Sequence, residues 1–575
     1  MARTRDVNAH GSPRTTGSAP GPNAADSGPS SPSEPSRRRW AAMPFIAIGV
    51  AMIIVDATIV NVAVPVIIRD LHVSEVGAEW LNSIYSLVFA ALLITFGHSG
   101  DRWGRRRLFL LGTVVFVAAS LVSATAVDGA MLIAGRALQG VGGAMILPAT
   151  LATVNALFTG RERAIAFAIW GSTIGVFGAL GPLFGGLLTT DVSWRWAFLV
   201  NLVIGAVVVA GIIGIVPETA EPTARRGVDV PGNVLAVVGF GGVVFALIEG
   251  STYGWWSAVT PFRLGGLRWP AGWPSPIPVI CAIGVISLIA FVALEAARAR
   301  RGAAVLVDLA LFRIRSFSAG LAAILMVSLG EFGILFVLPL FLEGVLGYSA
   351  LHTGVVILAI AVGTLLAGGV TPQLASSIGA RGVARLGLVF EAVGLVGLAV
   401  VVSPTVGAWA LVPWLAAYGV GLGMASAQLP GVILSEVPPV ASGQASGIQS
   451  TNRQVGSAFG IAVLGTIFVS EIASRTSGAL RTLSGLAPGL ADRAAAIVRA
   501  SGGAAIPSLH SLPDGHALVS AASVAVADAT RVVSLVGAAF IAVGLVGTLL
   551  LPRSAGAAVD TAVPAPDALA GERRQ

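Results

Sequence analysis

The sequence contains a long series of apolar segments, each about 20 residues or longer, separated by short polar links. A helix of about 20 residues crosses the roughly 30 Å hydrocarbon core of a bilayer. Strands of a membrane barrel are shorter, at about ten residues, and alternate apolar with polar side chains. Only 11% of the residues are charged, and the mean hydropathy is +0.86. The chain is therefore predicted to be an all-α polytopic membrane protein.

Fourteen spans are predicted. They lie at about residues 43–67, 80–99, 108–127, 131–157, 164–188, 196–216, 231–249, 276–295, 318–342, 351–371, 383–402, 408–430, 451–470 and 532–552. An even number of spans places both termini on one side of the membrane. The links on that side carry clustered arginines, at 102–107, 161–163, 225–226 and 298–315. Because cytoplasmic links are enriched in basic residues, both termini are predicted to be cytoplasmic.

The chain is predicted to divide into two helical halves flanked by tails. Its first residues are rich in Pro, Ser and Gly and poor in large apolar side chains, so they cannot build a packed core. The predicted divisions are a disordered cytoplasmic tail at 1–39, a six-helix half at 40–216, an inserted helix pair with its links at 217–317, a second six-helix half at 318–552 with an extracellular loop at about 471–530, and a cytoplasmic tail at 553–575.

An internal repeat supports the two halves. One constant offset aligns Gly140-Val-Gly142 with Gly419-Val-Gly421, and Gly100-Asp-Arg102 with Gly379-Ala-Arg381. Spans 1 to 6 are therefore related to spans 9 to 14, as expected for two bundles that rock around a site between them. Spans 7 and 8 are left as an inserted pair.

The remaining composition excludes several classes of function. All 35 basic residues are arginine and sit mainly at the ends of spans, so the net charge of +7 reflects topology rather than nucleic-acid binding. Cys281 is the single cysteine, and the six histidines lack metal-ligand spacing. No phosphate-binding loop of the Walker type is present, which excludes an ATP-driven pump within this chain. We expect no metal and no cofactor, and an ion gradient as the energy source.

One acid stands alone in the first span. Asp56 is the only charged residue between Arg39 and Arg69. A charge at the middle of a bilayer helix costs roughly 2.5–3.5 kcal/mol, so it persists where a cavity, a partner or a proton relieves it. Asp56 is therefore a candidate for proton coupling and substrate binding. A structural acid that is hydrogen-bonded between helices is the alternative.

Two further polar residues of the spans are interpreted by their position on the helix. Arg136 in span 4 shares one helix face with Gln139, Gly140 and Gly143, and the three neighbours are predicted to pack helices closely. Arg136 is a second candidate for proton coupling, and a fixed tether to backbone carbonyls is its alternative. Asn61 is predicted to bond between helices, because it lies about 140° around the helix from Asp56.

Glu331 is a lone acid in span 9. The offset of the repeat places it one helical turn from Leu335, the position that matches Asp56, so two carboxylates are expected to face the cavity. Such a pair suits competition between a proton and an organic cation. A hydrogen-bonded structural acid is the alternative here too. Glu391 and Arg453 lie nearer helix ends and are predicted to reach the membrane interface.

The link after span 2 carries the most specific motif. It reads Gly97-His-Ser-Gly100-Asp101-Arg102-Trp-Gly104-Arg105-Arg106-Arg107. This pattern resembles the loop signature of the major facilitator superfamily. The resemblance implies the major facilitator fold and a conformational latch, formed by Gly97, Gly100, Asp101, Arg102, Gly104, Arg105 and Arg106.

Other segments resemble one branch of that superfamily, the fourteen-helix drug:proton antiporters of the EmrB/QacA type. They include the run from Asp56 to Pro65, Trp194-Arg195-Trp196, and Asp229-Val-Pro231-Gly232. Span 5 resembles the motif that marks antiporters. Its glycines and proline are predicted to form a hinge where the halves meet, at Gly178, Gly181, Pro182, Gly185 and Gly186. The resemblance also implies a role for Arg136 in proton transfer.

Together these features predict a secondary transporter rather than an enzyme. The expected function is proton-coupled antiport that exports hydrophobic or cationic small molecules, such as drugs or antibiotics, by alternating access. The expected location is the plasma membrane of a bacterium, and the expected oligomeric state is a monomer. A nutrient importer or facilitator of the same superfamily is one alternative, and a non-transporting membrane sensor or scaffold is another.

Overall fold

The computed structural model describes residues 34–73, 75–219, 229–264, 267–481 and 489–550. Its helices are α1 (Glu34–Leu71), α2 (Glu75–Trp103), α3 (Arg105–Ala124), α4 (Gly129–Leu157), α5 (Gly160–Asp191), α6 (Trp196–Gly214), α7 (Val230–Tyr253), α8 (Ile277–Arg300), α9 (Arg315–Gly344), α10 (Ala350–Val401), α11 (Ala408–Ile433), α12 (Ser442–Arg481), α13 (Leu490–Ala500) and α14 (Gly515–Gly547). Two short strands, β1 (Phe262–Leu264) and β2 (Leu267–Trp269), pair antiparallel between α7 and α8. Most of the two predicted tails lies outside the described residues.

The described helices confirm the predicted membrane fold. Twelve of them are long and apolar enough to cross a bilayer. α10 counts once among these, although Gly379, at φ 74°, breaks it into two helices at 350–378 and 380–401. α5 is not among the twelve, but its 32 residues run between α1 on one side and α10 and α11 on the other. With α5 and the two parts of α10, the described helices accommodate the fourteen predicted spans.

Local sequence signals explain where several helices begin. The side chain of Asp128 accepts a hydrogen bond from the Met131 N–H at the start of α4, at 2.8 Å. Asp229 does the same for Gly232 at the start of α7, where a proline occupies the first turn. Such side chains satisfy backbone donors that have no partner within the helix. Proline fits the first turn because its missing N–H would be unpaired there.

The internal repeat is present, but its register in the first three spans of each half differs from the predicted one. Gly104 and Gly379 each have positive φ, and each separates two consecutive helices. They are therefore counterparts, although the predicted alignment paired Gly379 with Gly100. The interval from Gly104 to Gly379 is shorter, by about one helical turn, than the interval from Gly140 to Gly419 on which that alignment was based.

Helix packing shows the same shift. Gly140 packs against the carbonyl oxygen of Tyr85, and Gly419 packs against that of Ile360. Tyr85 and Ile360 are separated by the shorter of the two intervals, so the helices that contain them keep one register relative to each other. The same shorter interval leads from Asp56 to Glu331. Glu331 is therefore the counterpart of Asp56, and the predicted match with Leu335 is wrong.

Two large apolar clusters form much of the core. The first is centred on the first half but also includes residues of the second, such as Phe317 and Ile433, and the second lies within the second half. α1, α3 and α4 build much of the first cluster, and α9, α10, α11 and α14 build much of the second. α7 and α8 pack on each other, and α7 also contacts α2 and α12. The outer side of α8 exposes several large apolar residues, including Ile283, Ile286 and Ile289. Such a surface suits contact with lipid.

The segment at 471–530, predicted to be a loop, is largely helical where the structure describes it. α12 continues to Arg481, α13 occupies 490–500, and α14 begins at Gly515 rather than near 532. Leu490, Val498 and Leu518 are buried in the core cluster of the second half. Hydropathy marks only the stretch that crosses lipid, so it does not detect helices that continue beyond the bilayer with alanine-rich, partly polar sequence.

Trp194 and Arg195, which come just before α6, both bind Asp70 near the end of α1. The Trp194 Nε1–H and the Arg195 Nη1–H both donate to Asp70 Oδ2, each at 2.8 Å. The Arg195 guanidinium also stacks over the Trp194 ring, 4.4 Å from its centroid. These hydrogen bonds, from Trp194 first and then from Arg195, lower the pKa of Asp70 below its ordinary value.

This contact predicts a pH-dependent contribution to stability. A lowered pKa means that ionised Asp70 stabilises the folded state above the ordinary aspartate pKa of about 3.9, and that this stabilisation is lost as the pH falls through the lowered value. Asp70→Asn should therefore lower the melting temperature near neutral pH and cease to do so in strong acid. Thermal unfolding of both proteins over a pH series tests this, and a difference that persists unchanged in acid would contradict it.

Candidate functional site

Asp56 forms an ion pair with Arg136 inside the first half. The Asp56 side chain is 0% exposed and that of Arg136 is 1% exposed, and Arg136 Nη1 donates to Asp56 Oδ2. Gln139 Nε2 donates to Asp56 Oδ1 at 2.7 Å, and Gln139 Oε1 accepts from Arg136 Nη1 at 2.9 Å. Two of the predicted coupling residues are thus in direct contact. Gln139, predicted to pack helices, is instead a hydrogen-bonding partner of both.

Sequence reasoning missed three members of this network. Asn201 of α6 donates from Nδ2 to Asp56 Oδ1 at 2.7 Å. Ser120 of α3 accepts from Gln139 Nε2 at 2.9 Å and from Asn201 Nδ2 at 3.2 Å. The guanidinium carbon of Arg136 lies 4.4 Å from the centroid of the Tyr85 ring on α2. Asn201 is a lone polar residue in an apolar span, and that was the signal that could have identified its role.

The network is electrically balanced and closed to solvent. One carboxylate faces one guanidinium, and Asp56 receives hydrogen bonds from Arg136, Gln139 and Asn201. A buried charge is tolerated when it is paired and its remaining lone pairs are satisfied. Protonation of Asp56 would remove the negative charge and leave the Arg136 charge uncompensated. The pair can therefore convert the arrival of a proton into a local excess of positive charge.

Glu331 occupies the corresponding place in the second half. Its side chain is 2% exposed and Oε2 accepts from Arg453 Nη2 of α12 at 3.1 Å. The prediction that Arg453 reaches the membrane interface is wrong, because its head group turns inward to this acid. Glu391 of α10 was placed at the interface as well, yet it is 0% exposed. Hydropathy and helix position could not reveal either, because burial here depends on packing between α9, α10 and α12.

The predicted latch is formed by Asp101 at the end of α2. Asp101 Oδ1 and Oδ2 accept from the backbone N–H groups of Gly443 and Gln444, both at 2.8 Å. These two residues begin α12, so a carboxylate of the first half caps a helix of the second. A negative charge is stabilising there because the unpaired N–H groups and the helix dipole make a helix N-terminus electropositive. The latch is thus a contact between a charge and a helix end.

Arg105 fixes the orientation of Asp101 and joins a second segment to it. Its Nε and Nη2 donate to Asp101 Oδ1 at 3.0 and 2.7 Å, and Nη2 also donates to the Pro439 carbonyl at 2.7 Å. Arg106 Nε donates to the Ile212 carbonyl at the end of α6, at 3.0 Å. Gly104, between the helices, has φ 111°. That conformation is readily adopted by glycine, which explains this position of the motif.

Glycines permit the close contact of α2 with α12. A Cβ on Gly97 would lie 2.5 Å from the Gly443 carbonyl oxygen and 2.8 Å from Gly447 Cα. Gly97 was predicted from the loop motif, but its partners on α12 were not. Gly443 and Gly447 are four residues apart on α12, the spacing of small residues that brings membrane helices together. That spacing was the missed signal. Gly100 packs against the Leu108 side chain of α3 rather than against α12.

Further hydrogen bonds join the halves at the same end of the bundle. Asn155 Nδ2 donates to Ser442 Oγ at 2.9 Å, and Arg163 Nη2 donates to the Gly431 carbonyl at 3.0 Å. These residues lie at the ends of α4, α5, α11 and α12. We call the end of the bundle that contains them and Asp101 the latch face. At the opposite end, the ion pairs of Asp70 with Arg195 and of Asp528 with Arg475 each join helices of one half.

The span-5 motif lies in one continuous helix. Gly181 packs against the Thr58 side chain, and Gly178 lies near Ile54, so these positions contact α1 of the same half. Contact with the other half involves Gly171 and Gly175, which pack against Ser426 and Thr364. Pro182, Gly185 and Gly186 lie farther along α5. The predicted contact between the halves is therefore made by earlier glycines than the motif itself.

The packing role predicted for α4 agrees with its geometry. A Cβ on Gly140 would lie 2.8 Å from the Tyr85 carbonyl oxygen, and one on Gly143 would lie 3.1 Å from Phe89 Cδ2. These contacts bring α4 against α2 and place Arg136 beside Tyr85.

Asn61 is in α1, but its side chain lies outside the described part of the structure. Arg102 follows Asp101 and is half-buried at the latch face.

The ion pair makes a specific prediction about stability. Arg136→Gln leaves the Asp56 carboxylate without its cation in a closed interior, which should cost about 3–5 kcal/mol of unfolding free energy. The double variant Asp56→Asn with Arg136→Gln has no buried charge here and should regain part of that loss. Unfolding of the single and double variants in detergent measures the coupling. A double variant that is less stable than Arg136→Gln alone would contradict the account.

Similar proteins of known family identify the family of this chain. The model of the Major Facilitator Superfamily matches residues 46–461. A probable actinorhodin transporter of Streptomyces coelicolor is 34% identical over 80% of this chain and 77% of its own length. Multidrug resistance protein Stp of Mycobacterium tuberculosis is 34% identical over 74% of this chain and 75% of its own length. The human organic anion transporter MFSD10 shares the fold, with a TM-score of 0.54 at 13% identity, over 88% of this chain and 99% of its own.

These matches cover both halves and the motifs on which the sequence-based prediction was made. They confirm the predicted fold and superfamily, and they identify a multi-pass membrane transporter of small molecules rather than an enzyme. The chain belongs to the major facilitator superfamily.

Proposed function

We propose that the protein is a proton-coupled antiporter that exports hydrophobic or cationic small molecules across the plasma membrane by alternating access. The observation that carries the proposal is the closed ion pair between Asp56 and Arg136. Relatives named as an actinorhodin transporter and as multidrug resistance proteins support export of organic molecules. The proton gradient would be the energy source, no cofactor would be needed, and the protein would act as a monomer.

The orientation follows from the distribution of arginine. The latch face contains Arg105, Arg106 and Arg163, and the positive-inside rule assigns such a face to the cytoplasm. The described ends of the chain lie at this face too, since Arg39 Nη1 donates to the Leu157 carbonyl and Arg385 Nη2 to that of Thr548. With the latch face closed, we assign this arrangement to a state whose access is from outside.

The ion pair provides a basis for antiport. A proton arriving from outside neutralises Asp56, and Arg136 then carries an unpaired positive charge. That charge opposes a cationic substrate nearby and favours its release outside. After the halves rock to the inward-facing state, loss of the proton to the cytoplasm restores the pair and removes the opposition. The proton and the cationic substrate thus compete, because both affect the charge balance of the Asp56–Arg136 pair.

The transport role of Asp56 can be tested in proteoliposomes loaded with ethidium and subjected to a pH gradient. Asp56→Asn keeps the size of the side chain but cannot exchange a proton, so gradient-driven transport should fall by roughly tenfold or more, the rate effect of at least about 1.4 kcal/mol. Glu436→Gln alters an exposed acid and serves as the control. Unchanged gradient-driven transport by a well-folded Asp56→Asn protein would refute the assigned role.

The latch can be tested separately by the distance between the halves. Spin labels at Trp103 and Val440, both exposed, report opening of the latch face once Cys281 is replaced by alanine. Asp101→Asn removes the ionised cap of α12, a contribution of about 0.3–2 kcal/mol, so the population with a long distance between labels should rise. The exposed Arg107→Gln is the matched control. An unchanged distance distribution in Asp101→Asn would show that the cap does not hold this face closed.

A further inference from the structure

Glu391 is a buried acid of the second half without a hydrogen-bonding partner among the described residues. Its side chain is 0% exposed, and neither carboxyl oxygen accepts a hydrogen bond from any described residue. It lies on the part of α10 after Gly379, where Gly421 of α11 packs against its Cγ. A buried carboxylate without hydrogen bonds is costly, so its charge must be removed or balanced.

The charges around Glu391 do not balance. Glu331 of α9 and Arg453 of α12 are the charged side chains near enough to act on Glu391 electrostatically. The Tyr418 hydroxyl of α11 donates to the Glu331 backbone carbonyl at 3.5 Å. Arg453 is already paired with Glu331 at 3.1 Å. The described part of this cluster therefore has two carboxyl groups and one guanidinium, which pairs with only one of them. If both were ionised, the cluster would hold one excess negative charge in the protein interior.

The first half provides the contrast. There, one carboxylate meets one guanidinium, and two amide side chains complete its hydrogen bonds. That site is neutral without a proton. The cluster of the second half is neutral only when it holds one proton or another cation. The two halves, although related by the repeat, therefore differ in their charge balance by one unit.

We propose that Glu391 holds a proton in this state, and that Glu331, Glu391 and Arg453 form a second proton site of the transporter. This inference rests on the proposed function and extends it, because the proposed function assigns a proton only to Asp56. The sequence predicted instead that Glu391 reaches the membrane interface. Arg453 is the most accessible member, with 18% of its side chain exposed, and marks the side from which a proton enters.

α12 links this site to the latch. Arg453 lies ten residues beyond Gly443, which is about 15 Å along a helix at 1.5 Å per residue. The same helix is capped by Asp101 at its N-terminus. When the latch face opens, movement of α12 shifts the guanidinium between the two acids. If Arg453 leaves Glu331, that acid takes up a proton, and if Arg453 also approaches Glu391, that acid releases one.

Infrared spectroscopy of the purified protein in lipid tests the proposal without relying on transport. Near neutral pH, the difference between wild type and Glu391→Gln should show loss of one carbonyl stretch from a protonated carboxyl. The exposed Glu436→Gln should instead lose a carboxylate stretch, and Asp56→Asn should leave the protonated signal unchanged. Arg453→Gln should gain one protonated carboxyl, because neither glutamate then has a cation.

Two results would overturn the proposal. One is loss of a carboxylate stretch in Glu391→Gln, which would show that Glu391 is ionised. The other is a protonated signal in Arg453→Gln that equals that of wild type, and this reading stands even if Glu391→Gln fails to fold. Absence of gradient-driven ethidium transport by the wild type would refute the proposed function and leave the infrared result intact, so the two failures are distinguishable.

Discussion

A charge in the interior of this protein must be compensated by another part of the same chain or removed by a proton, because neither lipid nor a packed helix interface supplies the hydrogen bonds of water. This constraint organises the molecule. It brings Arg136 of α4 to Asp56 of α1, turns Arg453 of α12 towards Glu331 of α9, and sets the Asp101 carboxylate against the first turn of α12. Each contact ties together helices that are far apart in sequence.

The contacts differ in what they join. The Asp56 pair lies within one half and leaves the boundary between the halves free. The Asp101 contact crosses that boundary, so any opening of the latch face requires it to break. The glycines of α2 and α12 make the crossing close enough for a carboxylate to reach two backbone N–H groups. Charge and shape therefore act together at the latch, whereas at Asp56 the charges meet inside one half.

Much of the fold could be predicted from hydropathy alone, because crossing lipid requires long apolar helices regardless of how they pack. Asp56 and Arg136 could be identified for the same reason, since a charge is conspicuous in an apolar span. Their partners were harder to identify. Asn201 and Ser120 are neutral residues of a kind found in many helices. Only the packing of α3 and α6 brings Asn201 to Asp56 and Ser120 to Asn201.

The register of the repeat and the burial of polar side chains are the other two properties that could not be predicted from the sequence. Matches among glycines indicated one constant offset between the two halves. In the first three spans of each half, the true offset is shorter by one helical turn. That difference makes Glu331 the counterpart of Asp56. Glu391 was judged by its distance from a helix end, yet its environment is decided by α9, α11 and α12. A linear pattern reports which face of a helix is apolar, but not which neighbour covers a polar residue.

The central claim is that a proton and a cationic substrate compete through the charge balance at Asp56. The most direct test is the affinity of the purified protein for ethidium, measured as a function of pH. Linkage requires that if a proton weakens binding, then the Kd must rise as the pH falls, by up to about tenfold per pH unit for one proton. The account predicts this rise in the wild type and its loss in Asp56→Asn. An affinity that is the same at every pH in the wild type would contradict it.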